Sequence, residues 1–404
     1  MRKLYSGGSG ENCNNRNLFR KLMVSVCLIC LLCMTACKEN GNEPDNPPAM
    51  NRKMTVLIYA VVSDLNIEAD KKEMIKVAPE LDLTNCNLLL YQVKQRGEPQ
   101  MLRLAEENGE YIFKEVKTYD RSLYSTDPRR ITEVIDDAFE LSPSEKYGLV
   151  FWSHGTGWSP KFSNHGTPMQ YAFGADKDIE RDPSYTDYTD LDELADAIPD
   201  LTFSYIWFDV CYMSGIEVLY QLRDKCDYMI ASPTEDAGNG MPYDLCLPYL
   251  LTPQPDCVEA AREHFAYYQE GRDSDWNVAT IAVCRMSEIE PVASYCRSAY
   301  ADATVPSSLG LQVYSRGNNG PFYDFGQYTE RMAATSASAP DYSEFQRAMD
   351  AFVIYKAATA RDFAGRPIDQ EHYSGVSCNL YNPIDKDNAT EYYRTLDWYR
   401  RVYE

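Results

Sequence analysis

Phe203-Ser204-Tyr205-Ile206-Trp207-Phe208-Asp209-Val210-Cys211-Tyr212-Met213-Ser214-Gly215 changes character halfway along. It opens as a short, mostly apolar run of aromatic and β-branched residues. Such a run predicts a strand buried on both faces of a parallel sheet. Asp209 and Cys211 then stand at its C-terminal end, and a small-residue turn follows. Glu217 to Arg223 reads as a helix, with Ile216, Leu219 and Tyr220 spaced for one apolar face. In open α/β sheets, ligands and chemistry gather just outside the carboxyl ends of the strands. A thiol at that place, ahead of a helix, can have a lowered pKa and act as a nucleophile. The competing account is a buried cysteine that behaves as a small hydrophobe.

A second stretch repeats the layout: Tyr147-Gly148-Leu149-Val150-Phe151-Trp152-Ser153-His154-Gly155-Thr156-Gly157-Trp158. An apolar strand is again followed by a polar residue and glycines. His154 precedes Cys211 by 57 residues. A free thiol is only a few per cent thiolate at neutral pH, so an imidazole beside it is the usual activator. Gly155 has no side chain to keep a substrate off its backbone. Its N–H and that of Cys211 are candidate oxyanion donors.

The two stretches together resemble the clostripain-like cysteine peptidases, which share the caspase-like fold with caspases, gingipains, legumain and separase. The resemblance rests on Ser153 to Trp158 and Phe208 to Met213, and continues through Glu217, Tyr228 to Ser232 and Gly238 to Tyr243. It covers most of residues 54 to 290. The Gln-Ala-Cys signature of caspases proper is absent. What the resemblance implies is a three-layer αβα domain with a mainly parallel sheet, and a Cys-His dyad without a third catalytic residue. It also implies cleavage after Arg or Lys, and self-cleavage between the two motifs, where Lys161, Lys177 and Arg181 are the basic sites. A basic side chain needs an anion at the pocket floor. Asp209, two residues before Cys211, is placed for it, unless it serves backbone N–H groups at the strand end instead. The family's second acidic pocket residue falls on Asn239 in the gapless match, with Glu235 and Asp236 close by. Asn can hydrogen-bond a basic side chain but cannot neutralise it.

The N-terminus reads as a targeting segment. Residues 1–36 hold five basic residues against one acid, and Leu22 to Ala36 is a 15-residue apolar run. That length suits a signal-peptide core better than a membrane span. Met34-Thr35-Ala36-Cys37 resembles a bacterial lipobox, with Cys37 as the lipidated first residue of the mature chain; an ordinary secretory signal with an incidental cysteine is the alternative. Residues 37–53, with Pro44, Pro47 and Pro48, read as a flexible linker. Removing residues 1–36 takes 39 basic and 61 acidic residues to 34 and 60, a net charge of −26. So acidic a protein does not suit nucleic acid or anionic membrane surfaces, and favours basic peptides.

The thirteen cysteines fall to nine with that removal. Apart from Cys37 and Cys211 the remaining seven show no CxxC spacing, so scattered buried thiols are expected rather than a disulfide framework or a zinc site. No cofactor or metal is called for, and a Ca2+ dependence cannot be read from sequence.

The rest of the chain alternates strands and helices, as an α/β domain does. Strands are expected at 54–63, 86–93, 111–119, 147–153, 227–232 and 275–285. Asp127-Pro128 starts a helix, because Asp is a good N-cap and Pro suits the first turn. Residues 159–190 form a long polar insertion, and 191–198 a short helix. Residues 54–300 are thus read as the peptidase domain. Residues 301–404 are read as a smaller C-terminal subdomain, with strands at 309–315 and 375–381 and a helix at 341–359.

These readings converge on a monomeric cysteine endopeptidase, anchored by lipid at Cys37 in a bacterial cell envelope, at the outer membrane or cell surface. Its partners are peptide or protein substrates. His154 and Cys211 are catalytic, the N–H groups of Gly155 and Cys211 hold the oxyanion, and Asp209, Asp236 and Asn239 bind substrate. Three alternatives stand beside it: an inactive peptide-binding lipoprotein of the same fold, a carboxylate hydrolase using Asp209 with Glu217 or Glu235, and an adhesive surface protein. If Glu217 has no such role, it is expected on the helix surface.

Overall fold

The computed structural model describes residues 52–61, 67–94, 96–161, 172–182, 184–273, 276–314, 322–381 and 388–404. The proposed signal segment, Cys37, linker residues 37–51 and residues 162–171 of the insertion lie outside the described residues; Arg52 and Lys53, read as linker, instead open the first strand. Ala49–Glu404 forms one compact unit.

Its centre is a nine-stranded sheet: β1 (Arg52–Ala60), β2 (Cys86–Gln92), β3 (Gln100–Glu107), β4 (Glu110–Thr118), β5 (Ser144–Trp152), β6 (Phe203–Asp209), β7 (Cys226–Ala231), β8 (Thr280–Arg285) and β9 (Val353–Ala358). In space the order is β9-β8-β7-β6-β5-β1-β2-β3-β4. The central five, β2-β1-β5-β6-β7, pair in parallel. An antiparallel pair flanks them on each side. The chain winds outward from β1 first to β2 and later to β5, so the order reverses there. The crevice beyond the C-terminal ends of these strands is where such folds place ligands.

Alternate residues of a strand point to opposite faces. Tyr59, Tyr91, Phe151 and Phe208 therefore enter one core, and Ile58, Leu90, Trp152 and Trp207 the other. Helices 128–141, 191–197, 216–221 and 289–300 cover the first face, together with the C-terminal helices. Helices 68–77, 243–250 and 257–269 cover the second. The result is the expected three-layer αβα fold. Helix 128–141 starts as its sequence predicts, with the Asp127 carboxylate accepting from the Arg129 N–H at 2.9 Å.

Four expectations about elements need correction. β3 is missing from the sequence reading, because its alternation of Met101, Leu102, Leu104 with polar residues is short and broken by a bulge. The strand at 275–285 is confined to 280–285 and runs antiparallel to β7. The helix expected over 341–359 stops at Phe352, and Val353-Ile354-Tyr355 continue as the edge strand β9. β-branched and aromatic residues fit a half-buried sheet surface better than a helix end. The two other C-terminal strands shrink to a single bridge, Val313–Tyr323, and to the two-residue strand Ser377–Cys378.

Candidate active site

β5 and β6 set the geometry. They pair in parallel with Trp152 opposite Asp209. A one-residue irregularity near Tyr147 and Gly148 sets that register. His154 and Cys211 each follow two residues after this matched pair, in the turns that leave the neighbouring strands. The Ser153 N–H reaches across to the Asp209 carbonyl at 3.4 Å, and the His154 carbonyl accepts from the Gly174 N–H at 2.9 Å. The Ser153 hydroxyl donates to the Val61 carbonyl at 2.7 Å.

The two turns touch at Gly155. A Cβ there would collide with Val210 Cγ1, would lie 2.7 Å from the Ala172 carbonyl oxygen and would stand 3.4 Å from that of Cys211. Only a glycine lets the backbones approach so closely. Neither the Gly155 nor the Cys211 N–H donates to an acceptor among the described residues. Tyr212, next to Cys211, adopts a left-handed φ of 63°. That conformation is costly for a bulky residue and is held here by the Tyr212 N–H donating to the Thr234 carbonyl at 2.8 Å.

Cys211 is partly exposed, whereas the other seven described cysteines are buried, and all eight are free thiols. Its Sγ accepts from the Asp236 N–H at 3.4 Å. Burial pushes the thiol up, and the carboxylates of Asp236, Glu235 and Asp209 push it further. The shift is opposite to the lowering that a place ahead of a helix can give. The turn presents acids to the sulfur, and the helix that follows starts only at Ile216.

Asp209 is 7% exposed. Its Oδ2 accepts from the Met241 N–H at 3.0 Å and the Tyr243 hydroxyl at 3.4 Å, so it does serve a backbone N–H. Gly240, at φ 64°, brings its backbone against this carboxylate: a Cβ would lie 2.8 Å from Oδ2. Burial raises the Asp209 carboxyl to about 6. Of the acids around it, the sequence pointed to Asp236 but not to Asp70 or Glu73. Asp70, from helix 68–77, is raised to about 8 by burial and then by Asp209 and Glu73. Glu73 is raised to about 7 by burial and then by Asp244. Burial and the Asp209 charge also raise Asp236. Nothing in a run such as Glu68-Ala-Asp70-Lys-Lys-Glu73 separates these acids from a solvated helix face, apart from the strand just before it.

Asn239 is exposed, and its amide donates to Asp273 at 2.7 Å. A carboxylate thus stands directly behind the position where the resemblance placed an acid. Lys161 donates to Glu193 at 2.6 Å, and Arg181 lies over the Tyr124 ring at 4.3 Å. Glu217 is not on the helix surface: it is completely buried. Its Oε1 accepts from the Asn379 N–H and the Tyr393 hydroxyl, which removes it from any solvent-facing carboxylate pair.

The model of the Clostripain family matches residues 61–402. An inactive zymogen C11 protease from Parabacteroides distasonis is 30% identical, with a TM-score of 0.71, covering 88% of this chain and 99% of its own. A secreted C11 cysteine protease from Bacteroides thetaiotaomicron, in complex with an irreversible peptide inhibitor, is 26% identical, with a TM-score of 0.73, covering 86% and 98%. A second structure of a secreted C11 cysteine protease from that organism is 26% identical, with a TM-score of 0.71, covering 87% of this chain and 99% of its own. No curated protein matches.

Proposed function

The chain belongs to the clostripain family of cysteine peptidases, and from that premise we propose that it hydrolyses peptide bonds after basic residues with Cys211 and His154 as its dyad. The observation that supports this is the register of β5 on β6, which pairs Trp152 with Asp209, so that His154 and Cys211 each follow two residues after the same matched pair.

The upward shift of the thiol favours a neutral resting state. Cys211 rests as a neutral thiol, and His154 takes its proton as the sulfur attacks the substrate carbonyl. The N–H groups of Gly155 and Cys211 receive the developing oxyanion. The imidazolium then protonates the leaving amine, and water resolves the acyl-enzyme with His154 as base. Asp209, with the lowest pKa of this cluster at about 6, supplies the anion for an Arg or Lys side chain, while burial and its charge hold Asp70 and Asp236 toward their protonated forms. Asp236 and Asn239 line the entrance, the latter backed by Asp273.

The same reading extends to location: a monomer, lipidated at Cys37, in a bacterial envelope. The test of the activity is turnover of matched fluorogenic peptides with Arg, Lys, Gln or Leu before the scissile bond. Wild type should favour Arg and Lys, and Cys211→Ala and His154→Ala should each remove nearly all turnover while staying folded. The double variant should lose little more than either alone, because paired catalytic groups act as a unit. Normal turnover by Cys211→Ala would end the assignment.

A further inference from the structure

The C-terminal chain grips both turns that carry the dyad, and it does so with buried polar groups. Beside the Cys211 turn, the Ser377 N–H donates to the Ser214 carbonyl and the Ser214 hydroxyl to the Gly375 carbonyl, each at 2.8 Å. Glu217, six residues after Cys211, accepts through Oε1 from the Asn379 N–H at 2.8 Å and the Tyr393 hydroxyl at 3.2 Å. Its Oε2 has no partner among the described residues. The ring of the same Tyr393 meets the other turn. It packs edge-on against Trp158, four residues after His154, at 5.0 Å and 72°. Phe322 repeats the bridge, stacking on Tyr212 at 5.0 Å and bordering Gly157.

A fully buried carboxyl is a poor choice for stability alone, since apolar residues of equal volume serve as well or better. Hydrogen bonds in a dry site do fix direction, which packing does not. Glu217 faces the tyrosines Tyr393 and Tyr328 and the thiol of Cys378, and burial raises its carboxyl to about 7.

We infer that Glu217 and Tyr393 are positioning residues: one tyrosine at the end of the short helix 388–393, anchored by a buried carboxyl, holds the His154 turn and the Cys211 turn at their working separation. This rests on the assignment of Cys211 and His154 made above. The C-terminal segment is then part of the catalytic apparatus although it touches no reacting atom.

The experiment measures kcat, KM, melting temperature and the iodoacetamide alkylation rate of Cys211 in Tyr393→Ala, Tyr393→Phe, Glu217→Ala and Glu217→Gln. Displacing a reacting group by about an ångström costs up to about a hundredfold in rate. Tyr393→Ala and Glu217→Ala should therefore lower kcat and alkylation by about tenfold or more, with KM within about twofold. Tyr393→Phe keeps the ring on Trp158, and should fall about threefold. Glu217→Gln keeps an acceptor for the hydroxyl, and should recover part of what Glu217→Ala loses. Phe345→Ala, buried against Tyr295 and Phe325, is the stability control; it should melt earlier with kcat unchanged. Wild-type kcat in both Tyr393→Phe and Glu217→Ala overturns the inference, as does an equal loss in Phe345→Ala. If the alanine variants do not fold, Tyr393→Phe and Glu217→Gln decide by the same criteria. Cys211→Ala is run in parallel: turnover there removes the dyad assignment and this inference with it, whereas an inactive Cys211→Ala beside a fully active Tyr393→Phe and Glu217→Ala removes the inference alone.

Discussion

Asp209→Asn separates what the buried carboxylate costs the fold from what it does for substrate. The carboxyl rises from its ordinary 3.8 to about 6 because burial penalises its charge. An acid with a raised folded-state pKa adds stability while protonated and loses it as pH climbs through the folded value. Here that window runs from about 4 to about 6. Above it, the ionised group costs the native state about 3 kcal/mol, at 1.36 kcal/mol per pKa unit. Asn is nearly isosteric, and its carbonyl can still accept from the Met241 N–H, so most of that cost should disappear in the variant. A unit of this size unfolds with an entropy of about 0.7 kcal/mol/K, which converts 3 kcal/mol to a gain of about 4 °C in melting temperature. The gain should be present at pH 8 and nearly absent at pH 4. Asp70 should also titrate lower, because Asp209 is one of the charges that raise it. In the proposed pocket the same change removes the anion that holds a guanidinium. Losing one partner of such a pair costs about 3 kcal/mol, roughly a hundredfold in kcat/KM for Arg substrates with little change for Gln. The assays are thermal melts of both proteins at pH 4 and pH 8, and kcat/KM on matched Arg and Gln peptides. A variant that melts no higher at pH 8 would refute the burial argument. A variant that keeps its full preference for Arg would refute the pocket.

Other consequences are equally direct. Alkylation of Cys211 in the free protein should accelerate steadily from pH 6 to pH 9 without levelling off, because the thiol is raised; a plateau near neutrality would mean a pre-formed thiolate–imidazolium pair. Gly155→Ala forces a Cβ to 2.7 Å from the Ala172 carbonyl oxygen, and should cost about 1–3 kcal/mol in urea unfolding together with most of the activity. Cys37→Ala should move the protein from the membrane to the soluble fraction on cell fractionation; full retention on the membrane would place the anchor elsewhere.

The sequence by itself determined the local features. Apolar runs ending at Trp152 and Asp209 declare buried parallel strands, because no solvated element tolerates such composition. Their polar ends declare a site, and His154 and Cys211 are legible because histidine and cysteine in matched strand-end positions suit few purely structural roles. Asp127 announces its helix through its own hydrogen bond. What it left open depends on contacts between residues far apart in the chain. The last third of the helix expected over 341–359 becomes the strand β9, where the free edge of β8 is there to pair with it. A thiol ahead of a helix can have a lowered pKa, yet at Cys211 burial and the carboxylate of Asp236 push it the other way. Asp70 reads as a helix-surface acid until the fold buries it within the influence of the Asp209 charge. Glu217 likewise reads as a surface residue or a catalytic acid until Asn379 and Tyr393, more than 160 residues downstream, close over it. Local pattern fixes which residues are apolar and which are reactive. The charge a buried group carries, and the partner that orients it, are set by the dielectric and the neighbours that only the assembled chain supplies.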